Sequence, residues 1–221
     1  MLRLDLHTHT RFFHWNEGSP TWFDPLGARL LGRVARHRNL DGMALTNHDY
    51  YRPYEPGSSL VTLPGIEVST TRGHVLVVGP DPPTDTAPDK HTPAAVADAA
   101  HDHGCAAILA HPYRNSTVAE SDAALDAVEV NGKHPQRRAK VERLAVELDL
   151  PLVGGSDAHY PIEAGRAFTV VDANERTPEA VVESIRDGRV EPRVDNRLSD
   201  RLLRKLYARV HRAKGHADRS D

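Results

Sequence analysis

The sequence predicts an α/β fold whose seven or so parallel strands form a barrel, and three observations point to it. Short apolar runs of strand length recur along the chain, and helical patterns lie between many of them. Histidines and carboxylates gather at the ends of those runs. In a parallel barrel the carboxyl ends of all strands meet on one face, where side chains far apart in sequence can converge.

The first strand covers 3–7 and runs into His7-Thr8-His9-Thr10. Strand side chains alternate, so His7 and His9 share a side. Residues 11–23 are irregular and rich in aromatics: Phe12, Phe13, Trp15, Trp22 and Phe23. They form either a wall of a substrate pocket or packing over the barrel mouth. Asp24-Pro25 opens a helix that continues to about Arg38. Strands follow at 43–46, 61–66 and 74–78, then a loop over 79–93 containing Pro80, Pro82, Pro83, Pro88 and Pro93. Thr92-Pro93 opens an alanine-rich helix that stops at Gly104. Strands at 106–110 and 127–131 lead to a helix over 135–148, with Val141, Leu144, Ala145 and Leu148 on one face. A strand at 152–155 and an eighth candidate at 167–171 precede a helix opened by Thr177-Pro178 and closed before Gly188. The barrel unit is placed at 1–195. Residues 196–221 form a separate basic segment, in which Leu198, Leu202, Leu206 and Val210 make an amphipathic stripe among arginines and lysines. That stripe packs on the barrel, or the helix docks an acidic partner, RNA or a membrane surface.

Bulk properties narrow the function. The 221 residues suffice for one substantial core, and a net charge of −3 carries no nucleic-acid signature. A single cysteine, Cys105, excludes a disulfide framework and thiolate-rich zinc sites, so any metal is held by imidazole and carboxylate. No leader peptide and no membrane span are expected, which makes a cytoplasmic protein the expectation.

Nine ligand-type residues stand at or near strand ends: His7, His9, His14, His48, Glu67, His74, His111, Asp157 and His159. His74 begins its apolar run, so either that strand runs the other way or His74 reaches in from the preceding loop. Imidazoles and two carboxylates converging without compensating lysines are unstable unless cations bind them. One divalent ion takes three or four protein ligands, so nine candidates imply two or three ions. The histidines at 37, 91, 101, 103, 211 and 216 read as structural or solvated; His134, beyond the 127–131 strand, is less clear-cut.

The order His7-x-His9, His14, Thr46-Asn47-His48, Gly65-Ile66-Glu67, His74, Ala110-His111-Pro112 and Gly155-Ser156-Asp157-Ala158-His159 resembles the PHP (polymerase and histidinol phosphatase) family, over residues 3 to 160. The resemblance implies a distorted seven-stranded (β/α)7 barrel, similar to the TIM barrel, with up to three ions of zinc, manganese or iron. By matching motif, His7, His9, Glu67 and Asp157 would hold one ion; Glu67, His74 and His111 a second; His14, His48 and His159 the third. Asn47 stands where many members have Asp, which would weaken metal binding at His48.

The activity then expected is a hydrolase acting on ester bonds: phosphomonoester hydrolysis of a small metabolite or nucleotide by a metal-activated hydroxide. Asp157, His159 or a metal-bound water would supply the leaving-group proton. Arg114 would grip the phosphate, with Lys133 and Arg11 as further candidates; solvated surface charge is the alternative for each. Two other readings are exonuclease-like phosphodiester cleavage of nucleic acid and, without catalysis, a metal-stabilised module that docks a partner through its basic helix.

Overall fold

The computed structural model describes residues 1–10, 24–54 and 60–195. Its strands are β1 (Leu2–Thr8), β2 (Gly42–Leu45), β3 (Val61–Thr70), β4 (Gly73–Val78), β5 (Ala106–Leu109), β6 (Ala127–Asn131), β7 (Leu152–Gly155), β8 (Ala167–Val171) and β9 (Val190–Val194). Four α-helices accompany them: α1 (Asp24–His37), α2 (Pro93–Asp102), α3 (Arg138–Leu148) and α4 (Pro178–Arg186). The basic segment 196–221 lies outside the described residues.

The helix starts follow the cap-then-proline rule. Thr92 Oγ1 accepts a hydrogen bond from the Ala95 N–H at 3.2 Å, and Thr177 Oγ1 accepts from Ala180 N–H at 3.3 Å. Each threonine precedes a proline whose missing N–H costs nothing in a first turn.

All nine strands belong to one sheet, in spatial order β7-β6-β5-β4-β3-β2-β1-β8-β9. The expected seven-stranded parallel count is therefore corrected. β4 pairs antiparallel with both β3 and β5, and β8 antiparallel with both β1 and β9, so these two strands run against the other seven. The physical reason for β4 is chain length. Only Thr71 and Arg72 separate β3 from β4, whereas a parallel crossover needs a dozen or more residues. β9 carries Pro192, which cannot donate to a ladder and suits the end of a sheet.

The sheet nearly closes where β7 and its following loop meet β1. The Asp157 N–H donates to the His7 carbonyl at 2.8 Å, and the His9 N–H donates to the Ala158 carbonyl at 2.9 Å. Gly154 lets β7 approach β8: its N–H donates to Thr169 Oγ1 at 2.8 Å, and a Cβ there would strike the Phe168 carbonyl.

The interior holds Leu4, Leu6, Leu63, Leu76, Ile108 and Val153, all fully buried, and α4 adds Val181, Val182 and Ile185 to the same cluster. Outside, α2 and α3 cover β3 to β6 through Val96, Ala100, Val141 and Ala145, while α1 covers β2 through Leu31 and Ala35. Each fully buried aliphatic side chain contributes about 1.5–3 kcal/mol. Among the described residues no helix is long and apolar enough to cross a membrane.

Candidate metal centre

The local structure of β1 sets the first pair. Its pairing with β2 slips between Asp5 and Thr8. Leu4 and Leu6 face the interior before the slip; His7 and His9 face it afterwards, one residue out of phase. A bulge of this kind is a common way to re-aim side chains beside a site. His7 Nε2 and His9 Nε2 end 3.1 Å apart.

Glu67, fully buried on β3, is the hub. Its Oε2 lies 3.2 Å from His7 Nε2, 3.3 Å from His9 Nε2 and 3.1 Å from His48 Nδ1. Its Oε1 lies 2.8 Å from His74 Nδ1 and 2.9 Å from His111 Nε2. His74 reaches this point because β4 is antiparallel: it leads the inward row that continues with Leu76 and Val78. His111, just beyond β5, arrives through a left-handed backbone turn (φ +27°). Such strained residues cluster at functional sites.

Asp157 (φ +53°) completes the cluster from the loop after β7. Its Oδ1 lies 3.4 Å from His9 Nε2, 3.8 Å from His7 Nε2 and 3.2 Å from His159 Nδ1. The His9 and His159 rings are 4.3 Å apart, and His9 stacks on His48 at 4.6 Å. Three overlapping ligand groups result: His7, His9 and Asp157; His9, His48 and His159; His48, Glu67 and His74. Eight of the nine sequence candidates thus converge. His14, like Arg11 and the aromatic stretch, lies outside the described residues.

Two cations join them. Lys133 Nζ donates to Asp157 Oδ1 at 2.9 Å and sits 2.8 Å from His159 Nδ1, so a compensating lysine is present after all. Arg114, half exposed, places Nη1 3.3 Å from Asp157 Oδ2. His134 lines a small cavity with His111, Asn131 and Arg137. His101 and His103 pair with Asp126 and Asp81, each at 2.9 Å, as expected of structural histidines.

Sequence reasoning missed three buried carboxylates that support this array. Glu129 on β6 lies 2.8 Å from His7 Nδ1. Asp5 accepts from the N–H groups of Ser156 at 2.9 Å, Gly165 at 2.7 Å and His7 at 3.3 Å. Glu163 accepts from the His159 N–H at 3.0 Å. A carboxylate inside an apolar strand, as in Ala127-Val128-Glu129-Val130-Asn131, is the signal that marks such positions. Asn47 acts on the chain leaving β1: its Oδ1 accepts from the Thr10 N–H at 2.8 Å.

Burial opposes charge throughout, and neighbours decide each outcome. Burial pushes His7 down, but the carboxylates of Glu129, Glu67 and Asp157 overcome it and hold the imidazole well above its usual value. Burial, aided by repulsion from His159 and His48, holds His9 well below the usual range. Burial, with His159 and His74 opposing Glu67, takes His48 down to about 4. Burial would raise Glu67 and Asp157. His48 and His7 beside the first, and Lys133 and His7 beside the second, instead hold both well below the ordinary carboxylate range. His9 and His48, held neutral beside the ionised Glu67 and Asp157, are in the donor state that a divalent ion requires, whereas His7 would release its Nε2 proton on binding one.

The geometry fits such an ion. Ligand atoms about 2.0–2.1 Å from a tetrahedral centre stand about 3.3 Å apart. The separations among His7, His9, Glu67 Oε2 and Asp157 Oδ1 given above run from 3.1 to 3.8 Å. Glu67 Oε2 and His9 Nδ1 are buried without a hydrogen-bond partner.

Comparison with known proteins agrees with this picture. Residues 135–190 match a family model described as PHP-associated, a stretch that includes Asp157 and His159. The chain is similar to PsfC from Pseudomonas syringae, with a TM-score of 0.71 at 19% identity over 95% of this chain and 99% of that one. A two-domain protein from Bacteroides vulgatus, containing a predicted PHP-like metal-dependent phosphoesterase, aligns with a TM-score of 0.60 at 21% identity. The lesion-specific endonuclease PfuEndoQ from Pyrococcus furiosus aligns with a TM-score of 0.59 at 16% identity.

The fold is that of PHP-like proteins.

The last two alignments cover 87% and 84% of this chain, which spans 64% and 56% of those proteins. A comparison with curated proteins finds no match. At these identities the PHP likeness is one of architecture; the roles of individual residues rest on the geometry.

Proposed function

We propose that the chain is a metal-dependent phosphoesterase that hydrolyses a phosphomonoester of a small metabolite or nucleotide. One observation carries the reading: a fully buried carboxylate, Glu67, has five imidazole nitrogens within 2.8–3.3 Å of its two oxygens. Glu67 Oε2 forms no hydrogen bond with the three nitrogens around it, whereas two or three divalent ions would use all five nitrogens and both oxygens.

Under this proposal His7, His9, Glu67 and Asp157 hold one ion, and Glu67, His74 and His111 a second. His48 and His159, with His14, hold a third. Zinc, manganese and iron all suit such imidazole and carboxylate donors. When bound, the ions supply Lewis-acid charge for the ester oxygens and bring the pKa of water toward neutrality.

The chain's own groups do the rest. Lys133 and Arg114 flank Asp157 and bind the outer phosphate oxygens, the guanidinium offering a planar fork to two of them. They turn the ester so that its leaving alcohol faces the Asp157–His159 pair; Asp157 is ionised, so His159 or a metal-bound water would give the alcohol its proton. Glu67, sealed from solvent, keeps the imidazoles aimed at the centre. Residues 1–195 form the catalytic unit.

A second reading, phosphodiester cleavage, is favoured by the likeness in fold to an endonuclease. Phosphate release from p-nitrophenyl phosphate and cleavage of a dinucleotide analogue, with zinc or manganese added, separate the two. Turnover of the monoester alone supports the proposal. Turnover of the dinucleotide alone transfers it to the second reading. Inactivity toward both in fully loaded protein leaves the non-catalytic binding module.

A further inference from the structure

Strand β6 bears none of the candidate ligands, yet its inward row, Glu129 and Asn131, touches three of them. We propose that Glu129 is a positioning residue that fixes His7 and His111 for metal binding. The inference rests on the metal centre proposed above.

Each Glu129 oxygen has its own task. Oε1 lies 2.8 Å from His7 Nδ1, and a carboxylate can only accept, so Nδ1 carries the proton. That leaves the Nε2 lone pair aimed at the point shared with His9 Nε2 and Glu67 Oε2. Oε2 accepts the backbone N–H of His111 at 2.8 Å. This bond holds the residue whose backbone turns left-handed and whose Nε2 meets Glu67. Asn131 extends the array, donating from Nδ2 to Glu129 Oε2 at 3.2 Å and to Asp157 Oδ2 at 3.4 Å. One strand therefore ties together ligands from β1 and from the loops after β5 and β7. Glu129 is 1% exposed, so solvent does not substitute for it. Gly155 makes room: a Cβ there would collide with Glu129 Oε1 and with His7 Cβ. A buried anion behind a ligating imidazole selects the tautomer, orients the ring and raises its basicity.

Glu129→Gln tests the arrangement at constant volume. Two donors, the His111 N–H and Asn131 Nδ2, converge on Oε2, against one at Oε1. The amide oxygen therefore faces His111, and its NH2 group faces His7 Nδ1. His7 must then accept at Nδ1 and carry its proton on Nε2, the nitrogen needed by the metal.

The full-length chain, stripped with chelator, is titrated with zinc against a chromophoric competitor. The imidazole nitrogens of the zinc-loaded protein are then observed by 15N-resolved NMR. Wild type is expected to bind zinc and show an exchange-protected His7 Nδ1 proton. Glu129→Gln is expected to lose that resonance and to bind zinc roughly 10- to 100-fold more weakly. Unchanged zinc affinity in the variant overturns the inference. So does a zinc-loaded wild type with His7 bound through Nδ1, an observation that needs no variant to fold. A wild type that takes up no zinc or manganese fails differently: it removes the metal centre itself.

Discussion

Replacing Gly155 by alanine adds one methyl group and alters no candidate ligand itself, yet it should damage the site. Gly155 ends β7 against β1, and an added Cβ would lie 2.5 Å from His7 Cβ, 3.3 Å from His7 N, and nearer still to Glu129 Oε1. Carbon atoms in contact prefer about 3.5–4.0 Å, so roughly 1 Å must be found. Neither contact with His7 is relieved by a rotamer change, because its Cβ is fixed to the backbone. Overpacking of this kind costs about 1–3 kcal/mol. For a chain of this size each kcal/mol lowers Tm by about 2–4 °C, so a fall of roughly 2–12 °C is expected. Because the displaced groups are His7 and its Glu129 partner, zinc affinity should fall at least about tenfold, which corresponds to 1.4 kcal/mol. Gly32→Ala is the control. Its Cβ would meet only Leu60 Cδ1 at 3.6 Å and Met43 Cε at 3.7 Å, inside α1, where alanine gains up to about 1 kcal/mol over glycine. Calorimetric melts with and without zinc, with elemental analysis, report both quantities. A Gly155→Ala protein that melts with wild type and keeps its zinc would refute the close approach of β7 to β1.

Three further outcomes are expected. Burial pushes Asp5 up to about 6 from 3.8, against the N–H groups of Ser156, Gly165 and His7. The folded chain then holds that proton more tightly than the unfolded chain, so the associated stability is complete below pH 3.8 and is lost as pH rises through 6. In chelator-treated protein, the stability advantage of wild type over Asp5→Asn should shrink by about 2 kcal/mol between pH 4 and 6, and a flat difference would contradict the assignment. Lys133→Ala removes the ammonium beside Asp157 and His159; it should raise KM for p-nitrophenyl phosphate roughly tenfold or more, and an unchanged KM would take Lys133 out of phosphate binding. Glu163→Gln places an amide where Oε2 accepts the N–H groups of His159 and Tyr160 and Oε1 pairs with Arg166. The variant should lose about 1–3 kcal/mol of stability in urea melts, and an unchanged midpoint would show that this carboxylate does not anchor the loop.

Much of this was legible in the sequence because it follows periodicity. The apolar runs located eight of the nine strands, and the threonine–proline caps, Asp24-Pro25 and the apolar face over 135–148 located the four α-helices of the described residues. β9 was missed because Val190-Glu191-Pro192-Arg193-Val194 alternates weakly and contains a proline. The reversal of β4 was half legible: His74 stood at the wrong end of its run, and the two-residue connection to β3 decides the direction. Within the site, strand-end placement identified the converging ligand types. The bulge that re-phases His7 and His9, and the left-handed turns at His111 and Asp157, leave no pattern in local composition. Glu129, Asp5 and Glu163 were hidden for a related reason. Asp5 and Glu129 interrupt apolar strands, which marks them as buried, but their partners lie on other elements; Glu163 pairs within its own loop and reads locally as a surface charge.

The central claim is a multi-ion centre organised by Glu67, and metal counting tests it most directly. Elemental analysis of wild type and Glu67→Gln after equilibration with zinc or manganese should find two or three ions per wild-type chain and at most one in the variant. A wild-type chain that retains no ion, or a variant that retains the full complement, would contradict the account.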